Sequence, residues 1–295
     1  MKNIAIIGAG TMGIGIAHVF AQNGYAVQLV DKNNSVLKKG ITTISNNLDR
    51  LISKQKITPK QKAQTLLNIT CTVDLIAAVK KTELVIEAIS ESLDLKLKLF
   101  KTLDQHTSKN TILATNTSSI SITKIAAATT RPEQVIGMHF MNPVPIMPLV
   151  EIIKGYNTSP KVTHTITQLA VKINKVSVTV SDYPGFVANR ILMPMINEAI
   201  DTLYTGVTGV KEIDTVIKLG MAHPMGPLQL ADFIGLDVCL AILNIMHETF
   251  KSQKYVACPL LVKMVNAGKL GLKSQEGFYD YSKHKKAETV AKQFA

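Results

Sequence analysis

The stretch Asn3-Ile-Ala-Ile-Ile-Gly-Ala-Gly-Thr-Met-Gly13 decides the fold of this chain. Its apolar run, Ile4 to Ile7, has the length of a buried strand, and the glycines that follow are spaced Gly-x-Gly-x-x-Gly. Beyond the last glycine, apolar residues recur at helical spacing as far as Gln22. The stretch therefore predicts a strand, a glycine turn and a helix.

The three glycines suit a loop that holds a dinucleotide. Gly8 permits the tight turn, Gly10 lets the backbone approach a pyrophosphate, and Gly13 lets the helix pack close to the strand. The N–H groups at the start of the helix favour an anion. Because glycines with this spacing also occur in ordinary loops, the motif needs support from the residues that follow it.

A second apolar run and an acidic residue supply that support. The run from Tyr25 to Val30 predicts a second strand, and Asp31 follows it where a carboxylate would meet the adenosine ribose hydroxyls. A carboxylate at this place favours NAD, because it repels the 2′-phosphate of NADP. Lys32 is adjacent and is able to accommodate that phosphate in part, so NADP stays an alternative.

Length and composition indicate a globular protein of two domains. The chain has 295 residues, of which 46% are hydrophobic and 18% charged. Its three cysteines form no close pair, which argues against a disulfide framework or a zinc site and fits a reducing cytosol. We expect a cytoplasmic protein that binds neither metal nor membrane, because we find no secretion signal and no apolar run of the ~18 residues that span a bilayer.

The net charge of +12 raises the question of an anionic partner. A solvated basic surface and a nucleic-acid interface are both open readings. The absence of tryptophan and of an arginine-rich tract argues against nucleic acid. The segment 31–62 is rich in lysine and has only two acidic residues, which suits a small polyanionic substrate.

Strands and helices alternate in the first part of the chain, which predicts a Rossmann-type doubly wound α/β sheet. Ligands of such sheets bind beyond the carboxyl ends of the strands. The predicted strands are 4–7, 25–30, 69–73, 84–89, 111–115, 135–140, 150–153 and 176–180.

From Pro184-Gly185 onward the pattern is helical, and we place the domain boundary there. Residues 1–184 are predicted to form the NAD-binding domain and residues 185–295 an all-α C-terminal domain. The last residues are weakly patterned, which predicts a frayed tail or a short surface helix. The predicted helices are 186–204, 210–219 and 228–249, and the tail is 282–295.

His139 is the strongest candidate for a catalytic base, because it lies at the end of an apolar strand. Imidazole has a pKa near working pH, and a carboxylate partner such as Glu151 would fix its tautomer. Ser118 and Asn189 offer neutral hydrogen bonds to an oxygen that changes from hydroxyl to carbonyl. A core histidine satisfied by the backbone is the alternative reading, and spacing alone does not bring these four residues together.

Four separated motifs stand out along the chain, namely Asn116-Thr-Ser-Ser119, His139-Phe-Met-Asn-Pro-Val-Pro145, Pro184-Gly-Phe-Val-Ala-Asn-Arg190 and Met225-Gly-Pro-Leu228. Together they closely resemble the L-3-hydroxyacyl-CoA dehydrogenase family, particularly its bacterial 3-hydroxybutyryl-CoA dehydrogenases. The resemblance covers residues 1 to about 281.

The resemblance implies a catalytic His139 paired with Glu151, with Ser118 and Asn189 on the 3-oxygen of the substrate. It implies three contacts with the coenzyme A part of the substrate, from Asn47, Lys54 and Ser118. It also implies a set of residues that line the NAD site, namely Gly8, Ala9, Gly10, Thr11, Met12, Gly13, Asp31, Glu91, Lys96, Ser118, Asn142 and Lys273. Glu91 and Lys96 have the alternative reading of solvent-facing residues at a helix start.

The activity implied by the resemblance is the reversible NAD-dependent oxidation of an L-3-hydroxyacyl-CoA, with short chains favoured. A homodimer built through the helical domain is also implied. A non-catalytic NAD-binding relative and a dehydrogenase of free 3-hydroxyacids remain alternatives. The chain departs from the family near Lys273, where Gln275 stands in place of a usual glycine, and at Asn47, where family members carry serine.

Overall fold

The computed structural model describes residues 1–295, and the chain divides into two compact units, Met1–Tyr183 and Pro184–Ala295. The first unit is built on one eight-stranded sheet with helices between the strands. The second unit is largely helical. The predicted fold class, a Rossmann-type sheet followed by a helical domain, is confirmed.

The eight strands of the large sheet have the order β3-β2-β1-β4-β5-β6-β7-β8. Strands β1 to β6 are parallel, whereas β7 is antiparallel to β6 and β8 is parallel to β7. The strands are β1 (Asn3–Ile7), β2 (Ala26–Val30), β3 (Ile69–Thr72), β4 (Leu84–Glu87), β5 (Ile112–Thr115), β6 (Val135–Phe140), β7 (Leu149–Lys154) and β8 (Val176–Ser181).

The central strands are buried throughout, because both faces of the sheet are covered. Every residue of β4, β5 and β6 is buried, as expected for strands between two helical layers. Since β1 and β4 to β6 are parallel, their carboxyl ends meet at one edge of the sheet. The helices of this unit are α1 (Thr11–Gln22), α2 (Asn34–Ser53), α3 (Pro59–Leu67), α4 (Leu75–Val79), α5 (Leu93–His106), α6 (Ile122–Ala126) and α7 (Pro160–Lys172).

The second unit packs its helices around a core of its own. One prediction is wrong here, because residues 228–249 are two helices that meet at an angle of 95°. The break is at Gly235, whose φ of +105° ends the first helix. The helices are α8 (Ala188–Tyr204), α9 (Val210–Thr215), α10 (Pro227–Ile234), α11 (Leu236–Phe250) and α12 (Pro259–Asn266), with a π-helical turn, Val216–Gly220, after α9.

The C-terminal residues are not a frayed tail, so that reading is wrong, whereas the alternative of a short surface helix holds only for the 3₁₀ turn Lys292–Phe294. Strand β9 (Tyr279–Asp280) pairs antiparallel with β10 (Thr289–Val290). The side chain of Ala291 is fully buried, and the ring of Phe294 stacks on Phe278 with 5.7 Å between centroids. The end of the chain therefore closes the core of the second unit.

Taken one at a time, the helices all fall short of the length and apolar character needed to cross a membrane; only the bent pair α10 and α11 meets both requirements, and only when joined.

Candidate active site

The glycine turn after β1 has three different geometries at its three glycines. Gly8 has a φ of +103°, and a Cβ there would lie 2.6 Å from the backbone oxygen of Ala88. A Cβ on Gly13 would lie 1.8 Å from the oxygen of Gly8, so the helix start and the strand end touch. Gly10 has open space around it and is the N-cap of α1, without a capping side chain. This arrangement fits a pyrophosphate lying against Gly10 at the start of the helix.

Asp31 is tied to the same turn. It follows β2, and its Oδ2 accepts a hydrogen bond from the Ala9 N–H at 2.8 Å. Its Oδ1 accepts a second one from the Asn33 N–H at 3.3 Å. The carboxylate is thus held beside the turn, and the N–H of Ala9 is already engaged by the protein.

A cavity of about 420 Å³ adjoins the glycine turn. Its lining includes Gly10 and Thr11 of the turn, Asn142 after β6, and Asn47 on α2. With Ala9, which also lines it, the cavity joins four residues predicted for NAD with one predicted for coenzyme A. Lys54, another residue predicted for coenzyme A, is exposed at the C-terminal end of α2 and does not line the cavity.

His139 and Glu151 form a buried pair. His139 lies near the end of β6, Glu151 lies on β7, and the two are register partners in the antiparallel ladder. Nδ1 of the imidazole is 2.8 Å from Oε2 of the carboxylate. Only 8% of His139 and 2% of Glu151 is exposed, so this ion pair or hydrogen bond is shielded from water.

Glu91 organises the loop that carries Ser118. Its Oε1 accepts hydrogen bonds from the Ser118 N–H at 3.0 Å, from the Ser119 N–H at 3.2 Å and from the hydroxyls of Thr117 and Ser119. Burial alone would raise the pKa of Glu91, but the Lys96 ammonium and these hydrogen bonds outweigh burial and hold the pKa below its usual value. Glu91 and Ser118 are thus brought together, with Glu91 ionised.

Lys96 lies behind Glu91, and the reading of Lys96 as solvent-facing is wrong. Only 1% of Lys96 is exposed, and its Nζ lies 2.5 Å from Oε1 of Glu87 and 3.3 Å from Oε2 of Glu91. Because the Lys96 ammonium lies between these two carboxylates, it influences the rest of the site by its effect on their charge and position. Glu87 itself is fully buried at the end of β4.

Two predicted site residues belong to the second unit. Asn189 is the second residue of α8 and is buried. Lys273 lies in a short turn, Leu272–Ser274, and forms an ion pair with Asp237. Gln275, the next residue after that turn, has a φ of +65°, so it keeps the left-handed conformation that a glycine adopts at low cost.

Two residues near the site were not singled out by the sequence. Glu87 is one, although an acid in an otherwise apolar strand is a usable signal. The other is His18 on α1, which lines the cavity and is 1% exposed, with no hydrogen-bond partner at either ring nitrogen. Asn116, the first residue of the motif Asn116-Thr-Ser-Ser119, was noted in the sequence. Its Oδ1 accepts a hydrogen bond from the Phe140 N–H at 2.9 Å and so joins the ends of β5 and β6.

Both units match one protein family. The family model described as 3-hydroxyacyl-CoA dehydrogenase, NAD binding domain, covers residues 3–183, and the model of the C-terminal domain of the same family covers residues 185–281.

Individual relatives are similar over nearly the whole chain. The chain is 50% identical over 281 residues to a probable 3-hydroxybutyryl-CoA dehydrogenase of Bacillus subtilis, which covers 95% of this chain and 98% of the relative. It is 49% identical over 280 residues to a 3-hydroxybutyryl-CoA dehydrogenase of Clostridioides difficile, covering 95% and 99%. Among solved structures, the (S)-3-hydroxybutyryl-CoA dehydrogenase of Ralstonia eutropha superposes with a TM-score of 0.92 at 47% identity, covering 96% of this chain and 100% of that chain.

Proposed function

The chain belongs to the 3-hydroxyacyl-CoA dehydrogenase family and is an NAD-dependent oxidoreductase, and from this membership we propose its substrate and the roles of its residues. The proposed reaction is the reversible oxidation of L-3-hydroxybutyryl-CoA to acetoacetyl-CoA. The relatives with about half of their residues identical carry the name of this short-chain activity. The observation that carries the proposal is the buried pair of His139 and Glu151.

His139 is the proposed general acid and base. Because the carboxylate of Glu151 only accepts hydrogen bonds, it holds the proton of the neutral imidazole on Nδ1, at 2.8 Å. Nε2 is then the basic atom, which takes the proton of the 3-hydroxyl and returns it in the reverse reaction. The positive charge that develops on the ring lies against Glu151, which stabilises it. Ser118 and Asn189 are proposed to hydrogen-bond the reacting oxygen.

The glycine turn and Asp31 are the proposed dinucleotide site. Bound NAD would supply a hydride acceptor for carbon 3 of the substrate. Gly10 leaves space for the pyrophosphate, and Asp31, held by the hydrogen bond that it accepts from the Ala9 N–H, is proposed to bind the ribose hydroxyls. Asn142, Ser118, Glu91 and Lys273 are further proposed members, and Lys96 contributes through Glu91.

The coenzyme A part of the substrate is proposed to contact Asn47, Lys54 and Ser118. Asn47 lines the cavity next to the glycine turn, and the exposed Lys54 suits a phosphate at its rim. The basic segment 31–62, noted in the sequence, supplies the positive field that a polyanionic substrate needs.

A cytoplasmic homodimer is the proposed form of the enzyme. The second unit exposes several large apolar side chains, which is typical of a surface covered by another subunit. They include Ile191 on α8, Leu219 in the π-helical turn after α9, and Met221 directly after that turn.

An assay of NADH consumption with acetoacetyl-CoA tests the proposed function. Loss of NADH absorbance that requires the coenzyme A ester supports it. Equal rates with free acetoacetate would instead favour a free-acid dehydrogenase. NADH binding without turnover of either substrate would indicate a non-catalytic relative, which similarity to dehydrogenases across both domains does not favour.

A further inference from the structure

Three charged side chains form a row beneath the Ser118 loop, and we call Glu87, Lys96 and Glu91 the charged row. Glu87 is fully buried, and its Oε1 accepts hydrogen bonds from Lys96 at 2.5 Å and from the Ile89 N–H at 2.7 Å. Its Oε2 accepts one from the Thr115 hydroxyl at 2.6 Å. Glu87 is therefore fixed from both sides.

The row carries one negative charge in excess, because two carboxylates face one ammonium. Glu87 and Lys96 are almost completely buried, whereas the side chain of Glu91 is 34% exposed. The field of the row therefore emerges at Glu91, whose Oε1 lies 3.0 Å from the backbone nitrogen of Ser118. Any group bound next to Ser118 experiences this negative field.

A buried ion pair of this kind is weak evidence for stability. Removing two charges from water costs several kcal/mol per ion, and a well-packed apolar pair is often as stable. The presence of Glu87 in a strand that is otherwise apolar, Leu84 to Ile86, thus points to a role other than packing. An apolar residue in place of Glu87 would keep the packing and lose the charge, so we look for a role that depends on the charge.

We propose that Glu87 is a positioning residue that sets the preference of the enzyme for oxidised over reduced coenzyme. It does so by balancing the charge of Lys96, so that the charged row as a whole keeps one excess negative charge, which emerges at Glu91 beside Ser118. The nicotinamide ring is positively charged in NAD⁺ and neutral in NADH, so a negative field stabilises the oxidised form selectively. The inference rests on the proposed function, which places the nicotinamide next to Ser118.

Glu87→Gln is the informative change, since it keeps the shape and one hydrogen-bond acceptor and leaves Lys96 to neutralise Glu91. The measurement is equilibrium titration of the full-length protein with NAD⁺ and with NADH, and the readout is the ratio of the two dissociation constants. We expect NAD⁺ to bind about tenfold more weakly, as expected for one charge at roughly 10 Å and an effective dielectric constant near 20. NADH binding should change by less than about twofold, because its ring is uncharged.

Thr115→Val is the matched control, because it removes the hydrogen bond that Thr115 donates to Glu87 and the one that it accepts from the Thr117 N–H, without changing any charge. The ratio should stay at the wild-type value in this variant. Equal weakening of NAD⁺ and NADH in Glu87→Gln would show a merely structural role and overturn the inference, as would an unchanged ratio.

A second variant covers the case in which Glu87→Gln does not fold. Glu91→Gln removes the same excess charge from the partly exposed end of the row, and it must shift the ratio in the same direction. An unchanged ratio there also overturns the inference. Wild-type protein that binds neither coenzyme would contradict the proposed function itself, so the two failures are distinguishable.

Discussion

His139 and Glu151 lie directly opposite each other on β6 and β7, and Nδ1 and Oε2 are 2.8 Å apart although the residues are separated by twelve positions in the chain. The contact depends on the reversal of strand direction after β6. If β7 ran parallel to β6, the chain would first have to cross back to the opposite edge of the sheet. A residue only twelve positions after His139 could then not lie beside it. The antiparallel pair thus gives the proposed base its carboxylate partner.

We expect His139→Gln to lower kcat by about 10²-fold or more, because glutamine cannot accept the hydroxyl proton. NADH affinity should stay within about threefold of wild type, since the dinucleotide site is formed by other residues. Steady-state turnover of acetoacetyl-CoA and a separate NADH titration measure the two effects. Near-normal turnover in this variant would refute the role given to His139.

Glu151→Gln should also lower kcat, but by a smaller factor of about tenfold to 10²-fold, because the base is retained while the imidazolium loses its counter-charge. Steady-state turnover of acetoacetyl-CoA measures this effect. Glu133→Gln, in a short turn outside the proposed site, is the matched control and should keep the wild-type kcat. Wild-type turnover in Glu151→Gln would contradict the role given to the pair.

The glycine turn predicts opposite behaviour for two neighbouring substitutions. Gly10→Ala should fold normally, because its Cβ meets open space, but it should weaken NADH binding by about tenfold or more by blocking the pyrophosphate. Gly13→Ala should destabilise the protein by about 2 kcal/mol or more, because its Cβ would lie 1.8 Å from the Gly8 oxygen. Thermal unfolding and NADH titration separate the effects. Destabilisation by Gly10→Ala would contradict the open geometry.

Because His18 is buried, we expect the free energy of unfolding to fall in mild acid. Burial lowers its pKa from 6.5 to about 4, and the Gln22 side chain, which opposes the shift, does not reach hydrogen-bond geometry. Between these values the unfolded chain binds more protons than the folded one, so stability falls as pH drops from about 6.5 toward 4, by roughly 2 to 3 kcal/mol in all.

Urea unfolding of His18→Gln across this pH range measures that contribution. The stability of the variant should depend less steeply on pH than that of wild type. His164→Gln, a change at an exposed histidine on α7, is the control and should leave the slope unchanged. Equal slopes in wild type and His18→Gln would show that His18 is not the group that titrates.

We expect replacement of Gln275 by glycine to stabilise the protein. Its φ of +65° is costly for a residue with a Cβ, whereas glycine adopts it freely. Gln275→Gly should therefore stabilise the protein by about 0.5 to 1 kcal/mol, after allowing for the greater freedom of glycine in the unfolded chain. Gln275→Ala keeps the strain and should give no gain. A lower unfolding temperature for the glycine variant would contradict this account.

The strands of the large sheet could be predicted from the sequence because local signals specify them. These signals are the spacing of the three glycines and the short apolar runs that have the length of buried strands. The boundary near Pro184 also coincided with a change of pattern. What local patterns do not contain is the pairing of His139 with Glu151, which depends on the direction and register of β7.

The errors in the helical unit have a physical reason. The apolar pattern of 228–249 continues on both sides of Gly235, so periodicity alone does not show that the axis turns by 95° there. The tail is rich in lysine, which hides the few apolar residues that anchor it. Burial of Lys96 was missed because a lysine is usually exposed, and only its two carboxylate partners make its position favourable.

Residues near position 294 complete the core of the second unit, and this affects the order in which the two units fold during synthesis. The first unit ends at Tyr183, so it is able to fold while the ribosome is still translating the rest of the chain. Phe278 finds its stacking partner in Phe294, sixteen positions further along the chain. The core of the helical unit therefore stays incomplete until residue 294 has been synthesised, so we expect this unit to fold after the first one.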